Sequence, residues 1–283
     1  MCSGGQCACT ESWTGHNCQH LALLPVPKVA GYGWAPNITS WGGSIYHNLT
    51  DPQSLYHLYV TEETDGKGLN SWVSNSQIIH AVSRSPLGPF VKRDVVSKPP
   101  TTNPQVLYDP ASRTFLLFHI RGAGSFQLFV SQSVDGPWTA QPFSLGSCNN
   151  PTAAFHPNGT LYVMCHDGQF SLFSFHATPT TPAWKGARSA AIPTLQVGKN
   201  KNVPGNCEDP FLYFDRHGRF HAVAHCYTCY WYPLPNRPGQ PSRFYPPGKG
   251  SCVPGSSFCS GHGFSSSGEA GSWTWIGGGD LGC

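Results

Sequence analysis

A repeated strand–turn–strand unit is the sequence feature that most constrains the fold. After residue 21, a small or polar residue, often followed by proline, opens an apolar stretch, and a tight turn leads to a second one. Three of these starts contain Pro104, Pro151 and Pro210, with gaps of 47 and 59 residues. A repeat of about 40–50 residues with three or four short strands is typical of a propeller blade. Because one such sheet cannot bury both faces alone, the units must pack around an axis.

Five units can be assigned in this way. They cover residues 41–92, 103–138, 150–179, 207–226 with a proline-rich continuation, and 261–278. The segments 85–90 (SPLGPF) and 133–138 (SVDGPW) echo each other, which supports true repetition. We therefore predict an all-β, five-bladed β-propeller over residues 21–283, with a β-sandwich as the structural alternative.

Composition agrees with this fold class and excludes several functions. Only 11% of the 283 residues are charged, while 32 are Gly and 26 are Pro, as expected of a turn-rich β protein rather than a helical bundle. The net charge of +3 is too small to indicate binding to nucleic acid or to a membrane surface. No apolar run approaches the roughly 18 residues that span a bilayer, so we expect no membrane span.

Cysteines and glycosylation sequons predict an extracellular, secreted chain. The sequence has 12 cysteines, and the sequons lie at Asn37, Asn48 and Asn158. An even, abundant cysteine count together with sequons indicates an oxidising compartment. No signal peptide precedes Cys2, so we expect a mature or truncated chain. Structural disulfides are favoured over a redox pair for the two cysteines at 226 and 229.

Two cysteine pairs fit predicted hairpins. Cys148 and Cys165 lie at similar distances on either side of the turn at 156–159, and Cys207 and Cys226 lie similarly around the turn at 215–218. Each pair could face across two antiparallel strands, although the sequence alone does not fix the connectivity.

The first twenty residues have the spacing C-x4-C-x-C-x8-C, with Trp13 and Gly15 before Cys18. This pattern resembles the C-terminal half of an EGF-like module, with Ser12 in place of the usual glycine and four of the usual six cysteines. The resemblance implies a Cys9–Cys18 disulfide and a Cys2–Cys7 disulfide. We therefore predict a small disulfide-held module at 1–20, preceding the propeller at 21–283.

The predicted hairpin at 207–226 carries the main candidates for catalytic residues. Glu208 and Asp209 stand just before its first strand, and Pro210 is expected to hold Asp209 in an extended conformation. These two carboxyl groups suit acid/base chemistry. The alternative, which the residues alone favour equally, is that Asp209 caps a turn and Glu208 is solvated.

The whole of residues 21–283 resembles the five-bladed propeller of glycoside hydrolase family 43 and its relatives. The resemblance rests on NPQVLYDPASRTFLLF, NNPTAAFHPNGTLYVM, CEDPFLYFDRHGRFHAVAH and SGHGFS. It implies a central pocket lined by the starts of the inner strands, with a base Asp, a tuning Asp and an acid Glu. Glu208 resembles the acid. The match is incomplete, because Asn103 stands where the tuning Asp would be and the first unit offers Trp41-Gly42-Gly43-Ser44.

From this resemblance we assign candidate roles. Glu208 is the acid, Asp209 or Asp167 is the base or orienting group, and the sugar contacts are Trp41, Asn103, Asn150 and His262. Glu62, Glu63 and Asp65 are expected to be exposed loop charges. We expect no cofactor and no specific metal ligand set, although a structural cation could occupy an axis lined by His and Asn.

Two functions follow. The first is a secreted glycoside hydrolase-like enzyme that binds or cleaves a polysaccharide in the central pocket. The second is a non-catalytic extracellular glycoprotein, a carbohydrate-binding or assembly module of a cell wall, matrix or surface filament. In that case the EGF-like segment would serve self-association or contact other extracellular proteins. Fold alone does not decide between them.

Overall fold

The computed structural model describes residues 2–3, 6–9, 13–16, 20–21, 31–33, 35–122, 124–143, 145, 148–166, 170–186, 192–195, 206–227, 259–269 and 271–276. The regular secondary structure of these residues is almost entirely β-strand, as predicted. Helix within them is limited to α1 (Trp72–Asn75) and two 3₁₀ turns, Leu69–Ser71 and Ala183–Lys185. None of the described helices is long and apolar enough to cross a membrane.

The described strands form four four-stranded sheets and two two-stranded ones. The two small sheets pair β1 (Cys2–Ser3) with β2 (Gln6–Cys7) and β3 (Trp13–Thr14) with β4 (His20–Leu21). Sheet 1 comprises β5 (Thr39–His47), β6 (Tyr56–Glu63), β7 (Ser76–Ser83) and β8 (Val91–Ser97). Sheet 2 comprises β9 (Thr101–Asp109), β10 (Thr114–Arg121), β11 (Ser125–Ser131) and β12 (Thr139–Gln141).

The other two large sheets repeat this plan. Sheet 3 comprises β13 (Asn149–Phe155), β14 (Leu161–His166), β15 (Phe170–Phe175) and β16 (Ile192–Leu195). Sheet 4 comprises β17 (Asn206–Phe214), β18 (Phe220–Tyr227), β19 (Cys259–Ser265) and β20 (Thr274–Ile276). Each sheet is an antiparallel meander in chain order, and the first strands β5, β9, β13 and β17 contact one another in series. The four sheets are therefore arranged around their first strands, as in a propeller.

Polar turn residues join the strands tightly. In the β17–β18 hairpin, the Asp215 carboxylate oxygen Oδ1 accepts hydrogen bonds from the backbone N–H groups of His217 (2.8 Å) and Arg219 (2.9 Å). Gly218 follows with φ 74°, a left-handed conformation that glycine adopts without strain. The predicted turn at 215–218 is thus present. Its aspartate and glycine are residue types that stabilise tight turns.

The core lies between neighbouring sheets. Three clusters of buried side chains each join two neighbouring sheets. Tyr59 and Leu117 belong to the cluster of sheets 1 and 2, Phe118 and Val163 to that of sheets 2 and 3, and Met164 and Leu212 to that of sheets 3 and 4. Complete burial of such a side chain stabilises a fold by about 1.5–3 kcal/mol. Successive side chains along a strand face the sheets on opposite sides. Because both faces are covered, the strands are buried along nearly their whole length.

Three hydrogen bonds with the same register join the first strands of successive sheets. In each, a side-chain oxygen on the first strand of one sheet accepts a backbone N–H of the first strand of the next sheet. The acceptors lie two residues after Gly42, Asn103 and Asn150, and the donors lie three residues after Asn103, Asn150 and Asp209. The pairs are Ser44 with Val106 (2.8 Å), Gln105 with Ala153 (2.5 Å) and Thr152 with Leu212 (3.0 Å). This recurrence shows that the four sheets are true structural repeats.

The structure corrects one assignment and leaves others open. Residues 261–278 are not a fifth unit, because β19 pairs with β18 and β20, which makes this segment part of sheet 4. The described residues contain four such sheets, so the predicted number of five blades is not confirmed. The division at residue 21 stays a prediction, and the described parts of 1–20 do not support the EGF-like interpretation.

The predicted disulfide across β13 and β14 is present. Cys148 and Cys165 are bonded, with their Cα atoms 5.0 Å apart. In β17 and β18, Cys207 lies opposite Cys226 in the strand register, and Cys2 lies opposite Cys7 in β1 and β2. The side chains of these four cysteines, and Cys18, lie outside the described residues. Cys9 is disulfide-bonded.

Candidate functional site

The first strands of the four sheets share one backbone feature near their starts. Gly42, Asn103, Asn150 and Asp209 all have positive φ, at 51°, 53°, 47° and 50°. Each sits where the pairing of strands one and two shifts register, which is a β-bulge. Glycine, asparagine and aspartate are the residue types that tolerate this left-handed conformation best. A bulge re-aims side chains, so these four positions are turned toward a common centre.

This geometry corrects one expectation. Pro210 does not hold Asp209 in an extended conformation, because its φ is 50°. The same holds for Asn103 before Pro104 and Asn150 before Pro151. Left-handed residues before proline are unfavourable in isolation, so the surrounding sheets must impose the conformation.

Asp209 is the hub of the site. Its Oδ1 atom accepts hydrogen bonds from the side-chain amides of Asn103, at 3.0 Å, and Asn150. Both asparagines are buried, and they come from sheets 2 and 3 while Asp209 comes from sheet 4. The Asn103 carbonyl Oδ1 accepts from the Thr102 hydroxyl at 2.9 Å, which fixes the amide orientation. A carboxylate held by two amide donors is a rigid, negatively charged acceptor.

A cavity of about 200 Å³ surrounds this hub. Its described lining consists of Trp41, Gly42, Gly43, Ser44, Asn103, Pro104, Gln105, Asn150, Pro151, Thr152, Asp209, Pro210 and Phe211. Asp209 is the one carboxylate among these lining residues. Trp41 is half-buried and Phe211 is 53% exposed, so both offer aromatic surface beside polar groups. Such a combination suits a sugar, which presents both apolar ring faces and hydroxyls.

Glu208 lies next to the hub but in a different environment. It is half-buried and is not part of the lining of this cavity. Burial, reinforced by the negative charge of Asp209, raises the pKa of Glu208 to about 7. A carboxyl group whose pKa is raised toward neutrality by burial is suited to general-acid work. Chemically, Glu208 can hold a proton near neutral pH while Asp209 stays in its acceptor role.

The remaining predicted residues are distributed as follows. Trp41, Asn103 and Asn150 lie in the cavity wall, and the two asparagines use their amide N–H groups on Asp209. Asp167 lies outside the described residues. The backbone of His262 is placed in β19 opposite Val223 and Ile276, and its side chain lies outside the description.

The three sequon asparagines lie outside the site, away from the cavity lining. Asn37 and Asn158 are exposed and Asn48 is half-buried, each in or beside a turn. Sequence reasoning missed Gln105, Thr152 and Phe211 as cavity residues. Their constant spacing of two residues after Asn103, Asn150 and Asp209 is the signal that could have found them.

Two acids of sheet 1 differ from expectation. Glu62 and Glu63 are buried rather than exposed, whereas Asp65 is exposed as expected. Burial alone would raise the pKa of Glu62, but hydrogen bonds from Lys92 (2.6 Å), Tyr32 and Gln77 (2.8 Å) lower it below its usual value. Burial raises the pKa of Glu63. Glu62 therefore serves as a structural ion-pair partner.

Comparison with known proteins identifies the fold. No protein-family model and no curated protein sequence matches the chain. Among solved structures, a family 43 β-1,3-galactosidase matches with a TM-score of 0.53 and 12% identity, over 84% of this chain and 46% of that one. The exo-β-1,3-galactanase of Phanerochaete chrysosporium, solved with galactose, matches with a TM-score of 0.52 and 12% identity, over 82% and 48%.

A third neighbour belongs to a different hydrolase family. The catalytic domain of the Coprinopsis cinerea family 62 α-L-arabinofuranosidase matches with a TM-score of 0.54 and 10% identity, over 86% of this chain and 68% of that one. The chain thus spans about half the length of the two family 43 neighbours. The chain shares the β-propeller fold of these glycoside hydrolases. Identities of 10–12% carry the likeness to the fold and no further.

Proposed function

We propose that the chain is a secreted glycoside hydrolase-like protein that binds a glycan at the axial cavity. Glu208, which precedes the cavity residue Asp209 in the chain, would donate a proton to the part of the glycan that extends beyond the cavity lining. The observation that carries the proposal is the Asp209 carboxylate, held at the meeting point of three sheets by two buried amides. A half-buried, rigid acceptor of this kind suits the recognition of sugar hydroxyls. The extracellular location is supported by the Cys148–Cys165 disulfide and by the surface position of the sequons.

The chemistry assigned to Glu208 follows from its surroundings. With a pKa raised to about 7, it is protonated in a large fraction of molecules at neutral pH and can donate to a leaving glycosidic oxygen. The negative charge of Asp209 helps to keep that proton on Glu208. An inverting reaction needs a second carboxyl group about 6.5–9.5 Å away, with room for water. Asp167 is the remaining predicted candidate for that base.

A hydrolysis screen tests the proposal. The first substrates are β-1,3-linked galactooligosaccharides and α-L-arabinofuranosides, because the fold neighbours are described as acting on them. Once a responsive substrate is found, Glu208→Gln is expected to lower kcat by about 10²–10⁴-fold. Glu269→Gln, which alters an exposed carboxyl on sheet 4, is the matched control and should leave kcat unchanged. Equal turnover by wild type and Glu208→Gln would remove Glu208 from the mechanism.

A second candidate function is glycan binding without cleavage. It is favoured by the cavity lining, in which the one carboxylate is already engaged by two amides. In this case wild type binds a glycan on an array and hydrolyses none, and Glu208→Gln binds as tightly as wild type. Trp41→Ala is expected to weaken binding, because the aromatic wall would be lost. Absence of both binding and hydrolysis would count against both functions.

A further inference from the structure

A second polar cluster lies away from the axial cavity, between sheets 1 and 2. Nδ1 of His57, on β6, lies 3.0 Å from Nε2 of His80, on β7. Oδ1 of Asp135, from the segment that leads from β11 to β12, lies 3.7 Å from the first of these nitrogens and 3.9 Å from the second. The histidines are each 1% exposed, whereas the Asp135 side chain is 65% exposed.

These three atoms have the spacing of metal ligands. A triangle with sides of 3.0, 3.7 and 3.9 Å has a point about 2.1 Å from all three corners. Zinc binds imidazole nitrogen at about 2.0–2.1 Å and carboxylate oxygen at about 2.0–2.2 Å. The spacing of the three atoms is therefore close to that required to share one zinc ion.

Hydrogen bonding alone leaves the histidine pair poorly satisfied. At 3.0 Å the two facing nitrogens cannot both carry hydrogen, so at most one N–H bond joins the rings. The outer nitrogens, Nε2 of His57 and Nδ1 of His80, are buried and make no hydrogen bond among the described residues. A metal would use the lone pairs of both facing nitrogens, which a single N–H bond between the rings cannot do.

The surrounding residues hold the carboxylate in place. The backbone carbonyl of Val134 accepts a hydrogen bond from the Tyr59 hydroxyl, and the Tyr59 ring stacks on His80 with centroids 4.9 Å apart. The Ser133 hydroxyl accepts from the Asp135 backbone N–H at 3.1 Å. The segment that carries Asp135 is thus fixed to the same side chain that packs on one of the histidines.

A fourth side chain lies beside the outer ring nitrogen of His80. Oδ2 of Asp94 lies 3.7 Å from Nδ1 of His80, the ring nitrogen that faces away from the cluster. Metal-bound histidines usually have a carboxylate or carbonyl at the second nitrogen, which orients the ring. Asp94 and Asp135 both line a cleft of about 1000 Å³, so the Asp135 carboxylate lies at the solvent side of the cluster.

We propose that His57, His80 and Asp135 form a zinc-binding site that links sheet 1 to sheet 2, with Asp135 as the ligand on the solvent side. The side chains come from two sheets, so bound zinc would tie adjacent repeats together. This site is separate from the axial cavity, and none of its residues lines that cavity.

Calorimetric titration tests the site on the full chain. The protein is treated with EDTA, dialysed and titrated with Zn²⁺; wild type is expected to bind one ion at this site. Asp135→Asn should weaken that binding at least tenfold, and His57→Gln or His80→Gln should abolish it. Asp51→Asn is the matched control, because Asp51 lines the same cleft outside the cluster, and its affinity should equal that of wild type.

Asp135→Asn keeps the proposal testable even if the histidine variants fail to fold, because its side chain is largely exposed. Substitution with Co²⁺ gives an independent readout: tetrahedral visible absorption in wild type and Asp51→Asn, and its loss in Asp135→Asn. The proposal is overturned if Asp135→Asn has the same zinc affinity and the same cobalt spectrum as wild type. It is also overturned if the wild-type protein binds no zinc.

Discussion

Replacing Asp209 should reveal how much the axial hub contributes to stability. Asp209→Ala removes the acceptor of two buried amide donors, from Asn103 and Asn150. Hydrogen bonds to a charged group contribute about 1.5–3 kcal/mol each, and a buried donor left without a partner loses that amount. Alanine at φ 50° adds backbone strain of about 1 kcal/mol. Removal of a half-buried charge offsets part of this, so we expect a net loss of about 3–5 kcal/mol.

Two further substitutions separate these contributions. Asp209→Asn keeps a carbonyl acceptor and a residue type that tolerates positive φ, but its hydrogen bonds are about half as strong, so the loss should be about 1–2 kcal/mol. Asp209→Gly loses the hydrogen bonds without the backbone strain and should fall between the other two. Asp65→Ala is the matched control, because Asp65 is exposed and has φ 58°; it should cost about 1 kcal/mol.

Urea denaturation at pH 7 without reductant measures all four variants against wild type. The reasoning predicts the order Asn, Gly, Ala for increasing destabilisation at position 209. If Asp209→Ala costs no more than Asp65→Ala, the two amides do not depend on Asp209. If Asp209→Asn is as damaging as Asp209→Ala, the charge matters and the hydrogen-bond geometry does not.

Three more predictions use the same denaturation assay. Because the folded-state pKa of Glu208 is raised from 4.5 to about 7, its proton stabilises the fold fully below pH 4.5 and the contribution is lost as the pH rises through 7. After discounting for solvent screening at this half-buried group, wild type should lose about 1–2 kcal/mol between pH 4.5 and pH 8 that Glu208→Gln does not lose; parallel profiles would contradict this. Replacing Cys148 and Cys165 together by Ala should cost about 3 kcal/mol, because the disulfide closes a 17-residue separation, and unchanged stability would show that the bond is dispensable. Gly43→Ala should cost about 1–3 kcal/mol, because a Cβ would lie 2.5 Å from the Tyr59 carbonyl oxygen, whereas Gly68→Ala, with no atom within 4 Å, should be near neutral.

The strands and their repetition could be predicted from sequence, but sheet membership could not. Alternating apolar stretches and turn residues locate the hairpins, and the Asp215–Gly218 turn is read directly from its residue types. The segment 261–278 has the same pattern as a unit start, yet it completes sheet 4. Periodicity locates strands along the chain, while the partner of a strand depends on contacts between segments distant in sequence.

The site was partly within reach of sequence reasoning. The strand-start positions of Asn103, Asn150 and Asp209 mark the residues that meet at the axis, since equivalent positions of repeats converge. Their hydrogen bonds span 106 and 59 residues and required the structure. The histidine–aspartate cluster had no such signal, because Asp135 comes from a different repeat than His57 and His80 and no short motif joins them.

The shared backbone conformation at the axis explains how the four repeats can present different side chains from the same position. A positive φ at each strand start restricts the residue to glycine, asparagine or aspartate at little cost. Within that restriction the four repeats differ: Gly42 leaves space, Asn103 and Asn150 donate, and Asp209 accepts. A Cβ at Gly42 would meet only the Asn103 amide nitrogen, at 4.0 Å, so the space lies beside the donors. The backbone thus fixes where the four groups meet, and the choice among three residue types decides what the cavity can bind.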